Sequence, residues 1–266
     1  MLPFISIGPF QFASYGILLV TGLFVGYYLL RADLARRQLN INPLVVVLAI
    51  GLSGLLGSKL YLAIENPAQL LADPGFLLNR SGYTFYGAVI SGVLVVLVLA
   101  RIYRVRSLSI FDAVSAEAAI GYGIGRLGCL LAGDGDYGTA TSLPWGMSFP
   151  NGLVPTLERV HPTPLYEFFA AAIIALYLWR LGARRLSAPD FAGEVFARYL
   201  LLTGVARFLV EFIRLNPPGL WGLSNAQQVA LMSISAGVIL QTVVWLRHRT
   251  PAVHSIAETG TTGNIQ

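Results

Sequence analysis

Seven long apolar segments constrain the fold of this chain more than any other feature. They span residues 12–30, 44–64, 83–100, 110–132, 163–178, 194–213 and 226–246. A helix needs roughly 20 mostly apolar residues to cross the hydrocarbon core of a bilayer. Only 12% of the 266 residues are charged, against roughly 25% in a soluble domain. The sequence therefore predicts an all-α, polytopic membrane protein with about seven transmembrane helices.

The distribution of basic residues predicts the orientation of these helices. Twelve of the 18 Lys and Arg residues follow the first, third, fifth and seventh segments or lie just inside the sixth. In membrane proteins such an excess of positive charge marks the cytoplasmic side. We therefore expect the N-terminus outside and the C-terminus in the cytoplasm. The net charge of +5 reflects this topology and does not call for a nucleic-acid partner.

The same topology makes residues 1–249 a single integral-membrane domain. Two extracytoplasmic loops, 65–82 and 133–162, are long enough to contribute to a functional site. After Arg249 the chain becomes polar, and we interpret residues 250–266 as a disordered cytoplasmic tail. The chain has no convincing internal repeat, which gives little support to a transporter built from inverted repeats.

Polar side chains within the predicted spans gather at one depth, in the outer half of the membrane. Ionisable groups are costly inside a bilayer and usually serve a function there. The set comprises Tyr15, Lys59, Tyr86, Arg126, Tyr166, Glu167, Arg207 and Glu211 in the spans, with Asp134 and His161 in the loop above them. Structural ion pairing between helices can explain any single member, but it explains the whole set poorly.

The arginines of this set predict an anionic ligand. A guanidinium binds phosphate through two parallel hydrogen bonds and stays charged when it is partly desolvated. A phosphate at the depth of the lipid headgroups is most simply that of a phospholipid. Arg207 and Glu211 lie four residues apart and therefore share one face of a helix.

Other apparent motifs favour neither an organic cofactor nor a metal. Residues 123–128 read G-I-G-R-L-G, but this dinucleotide-like pattern lies inside a predicted span with no strand before it. Asp134 and Asp136 begin like a calcium loop, yet Trp145 stands where the terminal Glu should be. The single cysteine, Cys129, excludes a disulfide framework and a Cys-based zinc site. We interpret it as a small packed residue.

Six motifs resemble, in this order, those of the prolipoprotein diacylglyceryl transferases. They are Y-G-I-L-L at 15–19, G-S-K-L-Y at 57–61, F-Y-G-A-V at 85–89, G-R-L-G at 125–128 continuing to G-D-G-D-Y-G at 133–138, H-P-T-P-L-Y-E at 161–167 and R-F-L-V-E-F-I-R at 207–214. The resemblance covers nearly the whole chain, and H-P-T-P-L-Y-E is its most specific part.

The resemblance implies a multi-pass transferase of the bacterial inner membrane, with its active site facing the outer leaflet. The family moves a diacylglyceryl group from phosphatidylglycerol to the thiol of the lipobox cysteine in prolipoproteins, without a metal or organic cofactor. In family terms, Arg126 and Arg207 would hold the lipid phosphate, and Glu211 would orient Arg207. The other expected substrate-binding residues are Lys59, Tyr15, Asp134, Tyr166 and Glu167.

The chain departs from the family at several of these positions. Tyr86 stands where many members have His, and Cys129 where many have Asn. With a pKa near 10, a tyrosine is a poor base at neutral pH. The general base would then be His161, Asp134 or Glu211, or the positive field of the arginines alone would ionise the thiol. We favour the second possibility, in which Tyr86 only shapes the headgroup site.

Two alternatives therefore stay open at the level of sequence. One is a paralogue that uses the same phospholipid donor with a different acceptor. The other, with less support, is a transporter for an anionic solute, because the inner half of the predicted spans offers little polar lining.

Overall fold

A computed structural model describes residues 2–78, 83–184 and 192–249, and places helices at all seven predicted positions. These are α1 (Ser14–Arg36), α2 (Pro43–Glu65), α4 (Phe85–Ile102), α5 (Ser107–Ala132), α6 (Thr163–Arg184), α7 (Glu194–Val210) and α8 (Asn225–Arg249), with the short α3 (Pro67–Ala72) after α2. The predicted tail at 250–266 and residues 79–82 of the first loop lie outside the described residues.

Five of these helices, α1, α2, α4, α6 and α8, are long and apolar enough to cross a membrane. Large apolar side chains on them, such as Phe24, Leu56 and Ile173, are exposed. Exposed apolar surface on helices of this length is suited to lipid rather than to water. The chain is therefore a multi-pass membrane protein, and its predicted helical character is confirmed. Of the other two long helices, α5 carries Asp112, Glu117 and Arg126, and α7 has only 17 residues.

Two short β-hairpins accompany the helices, and the sequence did not predict them. β1 (Phe4–Ile7) pairs antiparallel with β2 (Phe10–Ala13) immediately before α1, so this helix begins at Ser14 and not at residue 12. β3 (Met147–Phe149) pairs with β4 (Thr156–Val160) in the loop between α5 and α6. Strands of three to five residues are too short to give a clear alternating pattern beside long apolar helices.

Helix α5 is the centre of the bundle. It packs against α1 and α6 and also contacts α4 and α7. Small buried side chains such as Ala113, Ala116 and Ala119 line it, and small residues let neighbouring helices approach closely in a membrane. The remaining helices pair as α2 with α4 and α7 with α8.

The start of α7 is fixed by a carboxylate of α5. Asp112 is buried, and its two oxygens accept hydrogen bonds from the backbone N–H groups of Gly193 and Phe196, each at 2.8 Å. The first N–H groups of a helix lack intrahelical partners, so Asp112 acts as a remote cap. This contact sets the position of α7 along α5, and therefore the position of the residues at the far end of α7.

The pairing of α2 with α4 depends on two glycines. A Cβ atom added to Gly87 would overlap the carbonyl oxygen of Gly57 and lie 2.6 Å from the Cβ atom of Tyr61. We predict that Gly87→Ala lowers the free energy of unfolding by about 1–3 kcal/mol, the usual range for overpacking. Gly92→Ala is the matched control on the same helix, because a Cβ atom there meets nothing within 4 Å. Thermal unfolding in detergent measures both, and equal stability of the two variants would contradict the described contact.

Candidate functional site

Three arginine side chains meet at the end of the bundle where α5 and α7 end and α6 begins. Arg126 lies near the end of α5, Arg207 lies in the last turn of α7, and Arg214 follows the 3-10 turn Glu211–Ile213. Their side chains are 15%, 24% and 6% exposed. A guanidinium stays charged when buried, so this concentration of positive charge requires nearby carboxylates.

Glu167, near the start of α6, contacts all three arginines. Its Oε1 lies 2.7 Å from Nη1 of Arg207, and its Oε2 lies 3.2 Å from Nη1 of Arg214 and 3.4 Å from Nε of Arg126. The hydroxyl of Tyr122 donates to Oε1 at 2.5 Å and accepts from Nε of Arg126 at 3.0 Å. Glu167 is therefore the central counter-ion of the cluster.

Two further carboxylates complete the charge balance. Asp136 bridges two arginines: its Oδ2 pairs with Nη1 of Arg126, and its Oδ1 lies 2.5 Å from Nη2 of Arg214. Glu211 pairs through Oε2 with Nη2 of Arg207 at 2.9 Å, as the sequence predicted. The side chain of Asp136 is 33% exposed, against 4% for Glu167 and 1% for Glu211. Of the three carboxylates, only that of Asp136 is accessible.

The two carboxyl groups of the loop after α5 have their pKa values shifted in opposite directions. For Asp136, burial raises the pKa, but the guanidiniums of Arg126 and Arg214 outweigh this and hold it below the ordinary value. For Asp134, burial raises the pKa, and the hydrogen bond from the thiol of Cys129 offsets only part of the rise. Asp136 thus stays negatively charged, whereas Asp134 is the better proton acceptor near neutral pH.

Backbone pairing fixes the loops around the arginines. The N–H of Gly138 donates to the carbonyl of His161 at 2.8 Å, and that of Thr139 donates to Ile213 at 2.8 Å. The hydroxyl of Thr163 donates to the backbone carbonyl of Asp136 at 2.6 Å. Three segments distant in sequence are therefore joined by isolated backbone bridges, which holds Asp136 beside the arginines.

The other predicted site residues surround this cluster on different sides. Tyr15 packs against Gly128, and the charges of Arg126 and Asp134 act on its hydroxyl. Tyr86 lies with its ring 6.3 Å from that of Tyr61.

The remaining predicted residues are less directly connected to the arginines. Lys59 places its Nζ 4.4 Å from the ring centroid of Tyr83. His161 and Tyr166 form a separate pair, with Nδ1 3.2 Å from the tyrosine hydroxyl. Among the described residues, no hydrogen bond or ion pair joins this pair to the arginines.

Sequence reasoning missed three members of the cluster: Arg214, Asp136 and Tyr122. A helical spacing signal was present for two of them, because Arg214 lies seven residues after Arg207 and Tyr122 lies four residues before Arg126. Arg214 instead appeared to be an ordinary basic residue of an outer loop. Asp136 lies in the family-like segment 133–138, but the local sequence did not indicate its pairing, since its partners come from two other segments.

One grouping near the arginines resembles a set of metal ligands. Sγ of Cys129 and carboxylate oxygens of Asp134 and Asp136 lie within 4.8 Å of one another. The two oxygens of Asp136 already pair with guanidiniums, and Sγ of Cys129 lies 3.8 Å from Nη1 of Arg126. These contacts account for the grouping without a metal.

Comparison with known proteins gives one consistent family. Residues 3–243 match the family model described as prolipoprotein diacylglyceryl transferase. A phosphatidylglycerol–prolipoprotein diacylglyceryl transferase of Methylocella silvestris is 32% identical, over 93% of this chain and 95% of its own length. Proteins of the same name from Leptospira interrogans and Clostridium tetani are 32% and 30% identical, over 81% and 85% of this chain and 78% and 91% of their own lengths.

The central position of Glu167 leads to a prediction about stability. Replacing it by Gln keeps the shape and a hydrogen-bond acceptor but removes the charge that faces three guanidiniums. We predict that Glu167→Gln lowers the free energy of unfolding by about 3–5 kcal/mol, the usual effect of breaking a buried ion pair. Glu158→Gln, at an exposed position of β4, is the control and should change it little. Similar unfolding curves in detergent for the two variants would show that Glu167 is not the central counter-ion.

Proposed function

Because this chain belongs to the prolipoprotein diacylglyceryl transferase family, we propose that it transfers the diacylglyceryl group of phosphatidylglycerol to the lipobox cysteine of prolipoproteins. This reaction is the first step of bacterial lipoprotein maturation. The names of its relatives supply the donor and the acceptor class. The observation that carries the proposal is the cluster of three largely buried guanidiniums, of whose three carboxylate partners only Asp136 is accessible.

The lipid phosphate takes the place of Asp136 in this cluster. The two oxygens of Asp136 face Arg126 and Arg214, much as two non-bridging oxygens of a phosphodiester would. Asp136 is the most exposed of the three carboxylates and lies between Gly135, at a φ of 93°, and Tyr137. Its side chain can therefore rotate outward without movement of the paired backbone, while Glu167 and Glu211 remain and keep the guanidiniums in position.

The transfer is a displacement at a saturated carbon. The thiolate attacks the glycerol carbon that carries the phosphate ester, an S–C bond forms, and the C–O bond breaks with its electron pair on the phosphate oxygen. A thioether and glycerol phosphate result. The leaving phosphate gains negative charge during this step, and fixed guanidiniums stabilise that charge most strongly in a site that excludes water.

Asp134 is the best-placed acceptor for the thiol proton. A carboxylate oxygen of Asp134 lies within 4.8 Å of Sγ of Cys129, and this sulfur lies 3.8 Å from Nη1 of Arg126. A thiol group thus fits between this carboxylate and a guanidinium that favours the thiolate. Glu211 is committed to other donors, and His161 pairs with Tyr166. The arginine field, favoured from sequence, then acts together with Asp134.

The other predicted substrate-binding residues shape the headgroup site. Tyr86, whose ring lies 6.3 Å from that of Tyr61, contacts the glycerol headgroup without acting as a base. Tyr15 closes the site on the side of α1, and Lys59 and Tyr166 contact the rest of the lipid or the peptide.

We further propose that α1, α2, α4, α5, α6, α7 and α8 all cross the bacterial inner membrane, with the arginine cluster near the outer leaflet. Basic residues gather at the opposite end of the bundle, in the last turns of α1, α4 and α6. The positive-inside rule makes that end cytoplasmic. The N-terminus is then outside and the C-terminus inside.

The phosphate clamp predicts the effect of replacing Arg126, whose guanidinium faces Asp136, or Arg207, which shares Glu167 with Arg126 and Arg214. Purified protein is incubated with phosphatidylglycerol and a lipobox peptide, and the mass gain on the peptide cysteine is followed. Arg126→Ala and Arg207→Ala should each lose about a hundredfold or more in rate, as expected for a lost transition-state donor. The corresponding Lys variants should recover only part, because Lys lacks the planar pair of donors.

Arg101→Ala is the matched control, since Arg101 is exposed at the opposite end of the bundle. Normal rates in both clamp variants would reject the clamp. Consumption of phosphatidylglycerol by the wild type without any mass gain on the peptide would instead favour the paralogue with a different acceptor.

The orientation is tested by labelling introduced cysteines on intact cells. A membrane-impermeant maleimide should label Leu157→Cys, at a position 85% exposed on β4. It should label Arg101→Cys only after the inner membrane is permeabilised. The native Cys129 is buried and provides the background. Labelling of both positions without permeabilisation would overturn the proposed topology.

A further inference from the structure

Helix α8 begins with a capping box that is joined to the arginine cluster. The hydroxyl oxygen of Ser224 accepts a hydrogen bond from the backbone N–H of Gln227 at 3.2 Å, and the side chain of Gln227 accepts one from the N–H of Ser224 at 3.0 Å. Such reciprocal bonds are a common way to satisfy the first N–H groups of a helix. In this role the serine oxygen is an acceptor, which leaves its O–H hydrogen available for another partner.

That partner is the carboxylate of Glu211. The hydroxyl of Ser224 donates to Oε1 of Glu211 at 2.8 Å, and Nδ2 of Asn216 donates to the same oxygen at 2.5 Å. The other oxygen, Oε2, faces Nη2 of Arg207 at 2.9 Å and Nε of Arg214 at 3.7 Å. Two neutral donors therefore hold one carboxylate oxygen, so that the other is directed at two guanidiniums.

The start of α8 is a rigid reference for this contact. A Cβ atom on Gly204 of α7 would lie 3.0 Å from the carbonyl oxygen of Ala230, and one on Gly237 of α8 would lie 2.8 Å from that of Ala197. The two helices thus pack with their backbones close together over much of their length. The side chain of Ser224 is buried, and its hydrogen bond holds the carboxylate of Glu211 at a fixed position relative to α8.

We propose that Ser224 is a positioning residue, which fixes Glu211 and through it the guanidiniums of Arg207 and Arg214 for binding of the anionic phosphate. The inference rests on the proposed transferase function for its catalytic consequence, but not for its effect on anion binding. Ser224 itself touches neither the lipid nor the reacting atoms. Its contribution is geometric, and small displacements of a charged group in such a site have large effects on rate.

The test compares Ser224→Ala with two other variants. Ser224→Ala removes the donor to Glu211 and one half of the capping box, and should lower the rate of peptide modification about tenfold. Ser224→Thr keeps the hydroxyl and should retain at least about half of the rate, as the Thr side chain also caps helices. Gln227→Ala removes the other half of the capping box, leaves the contact with Glu211, and should stay within about twofold of the wild-type rate.

A second readout separates this inference from the proposed function. Glycerol phosphate shares the phosphate chemistry of the lipid, and its dissociation constant is measured with each purified protein in detergent. Ser224→Ala should raise this constant about tenfold, whereas Ser224→Thr and Gln227→Ala should leave it nearly unchanged.

Equal losses of rate and affinity in Ser224→Ala and Gln227→Ala, or no recovery of them in Ser224→Thr, would show that Ser224 acts only as a helix cap. Either result would overturn the proposal. A wild-type protein that binds glycerol phosphate but modifies no peptide would contradict the proposed function instead. In that case the pattern of dissociation constants still decides the role of Ser224.

Discussion

Charge balance among three arginines and three carboxylates is the interaction on which the rest of this structure depends. A charged group inside a membrane protein is tolerated when it is paired and hydrogen-bonded. Arg126, Arg207 and Arg214 come from the ends of α5 and α7, and Glu167 from the start of α6, so the pairing ties three helices together at one level. Any change in how these helices pack would leave buried charge unpaired.

The framework behind the cluster keeps these helices in register. At the opposite end of the bundle, Asp112 of α5 caps α7 and sets how far α7 extends. At the site end, Ser224 caps α8 and holds Glu211. Both ends of α7 are therefore fixed by polar contacts, and these contacts also fix the position of Arg207 in its last turn. Asp136 lies on a loop, and its side chain is the part of the cluster that can move.

The sequence predicted the helices and much of the site, for identifiable physical reasons. Long apolar runs report membrane spans directly, and Arg207 with Glu211 could be paired because helical spacing places them on one face. Arg126 and Glu167 were expected at the same depth, and the structure joins them at 3.4 Å. Orientation of the helices in the membrane remains a prediction from the basic residues.

What the sequence could not supply were contacts between segments distant along the chain. The pairing of Asp136 with Arg214 joins two loops, and the cap that Asp112 provides joins α5 to α7. Such contacts depend on three-dimensional packing and leave no periodic pattern. The hairpins were not predicted for a different reason. A strand of three to five residues is too short for an alternating pattern to be recognised.

The most direct test of the account is the effect of Asp136→Asn on the binding of phosphatidylglycerol. If the phosphate takes the place of Asp136, removing its charge should free the guanidiniums for the ligand and lower KM for the lipid by at least about threefold, with a smaller change in kcat. Glu158→Gln, which also removes one exposed negative charge but lies on β4, should leave KM unchanged. A KM that rises in Asp136→Asn, as in a variant that has lost an arginine of the clamp, would contradict the exchange of carboxylate for phosphate.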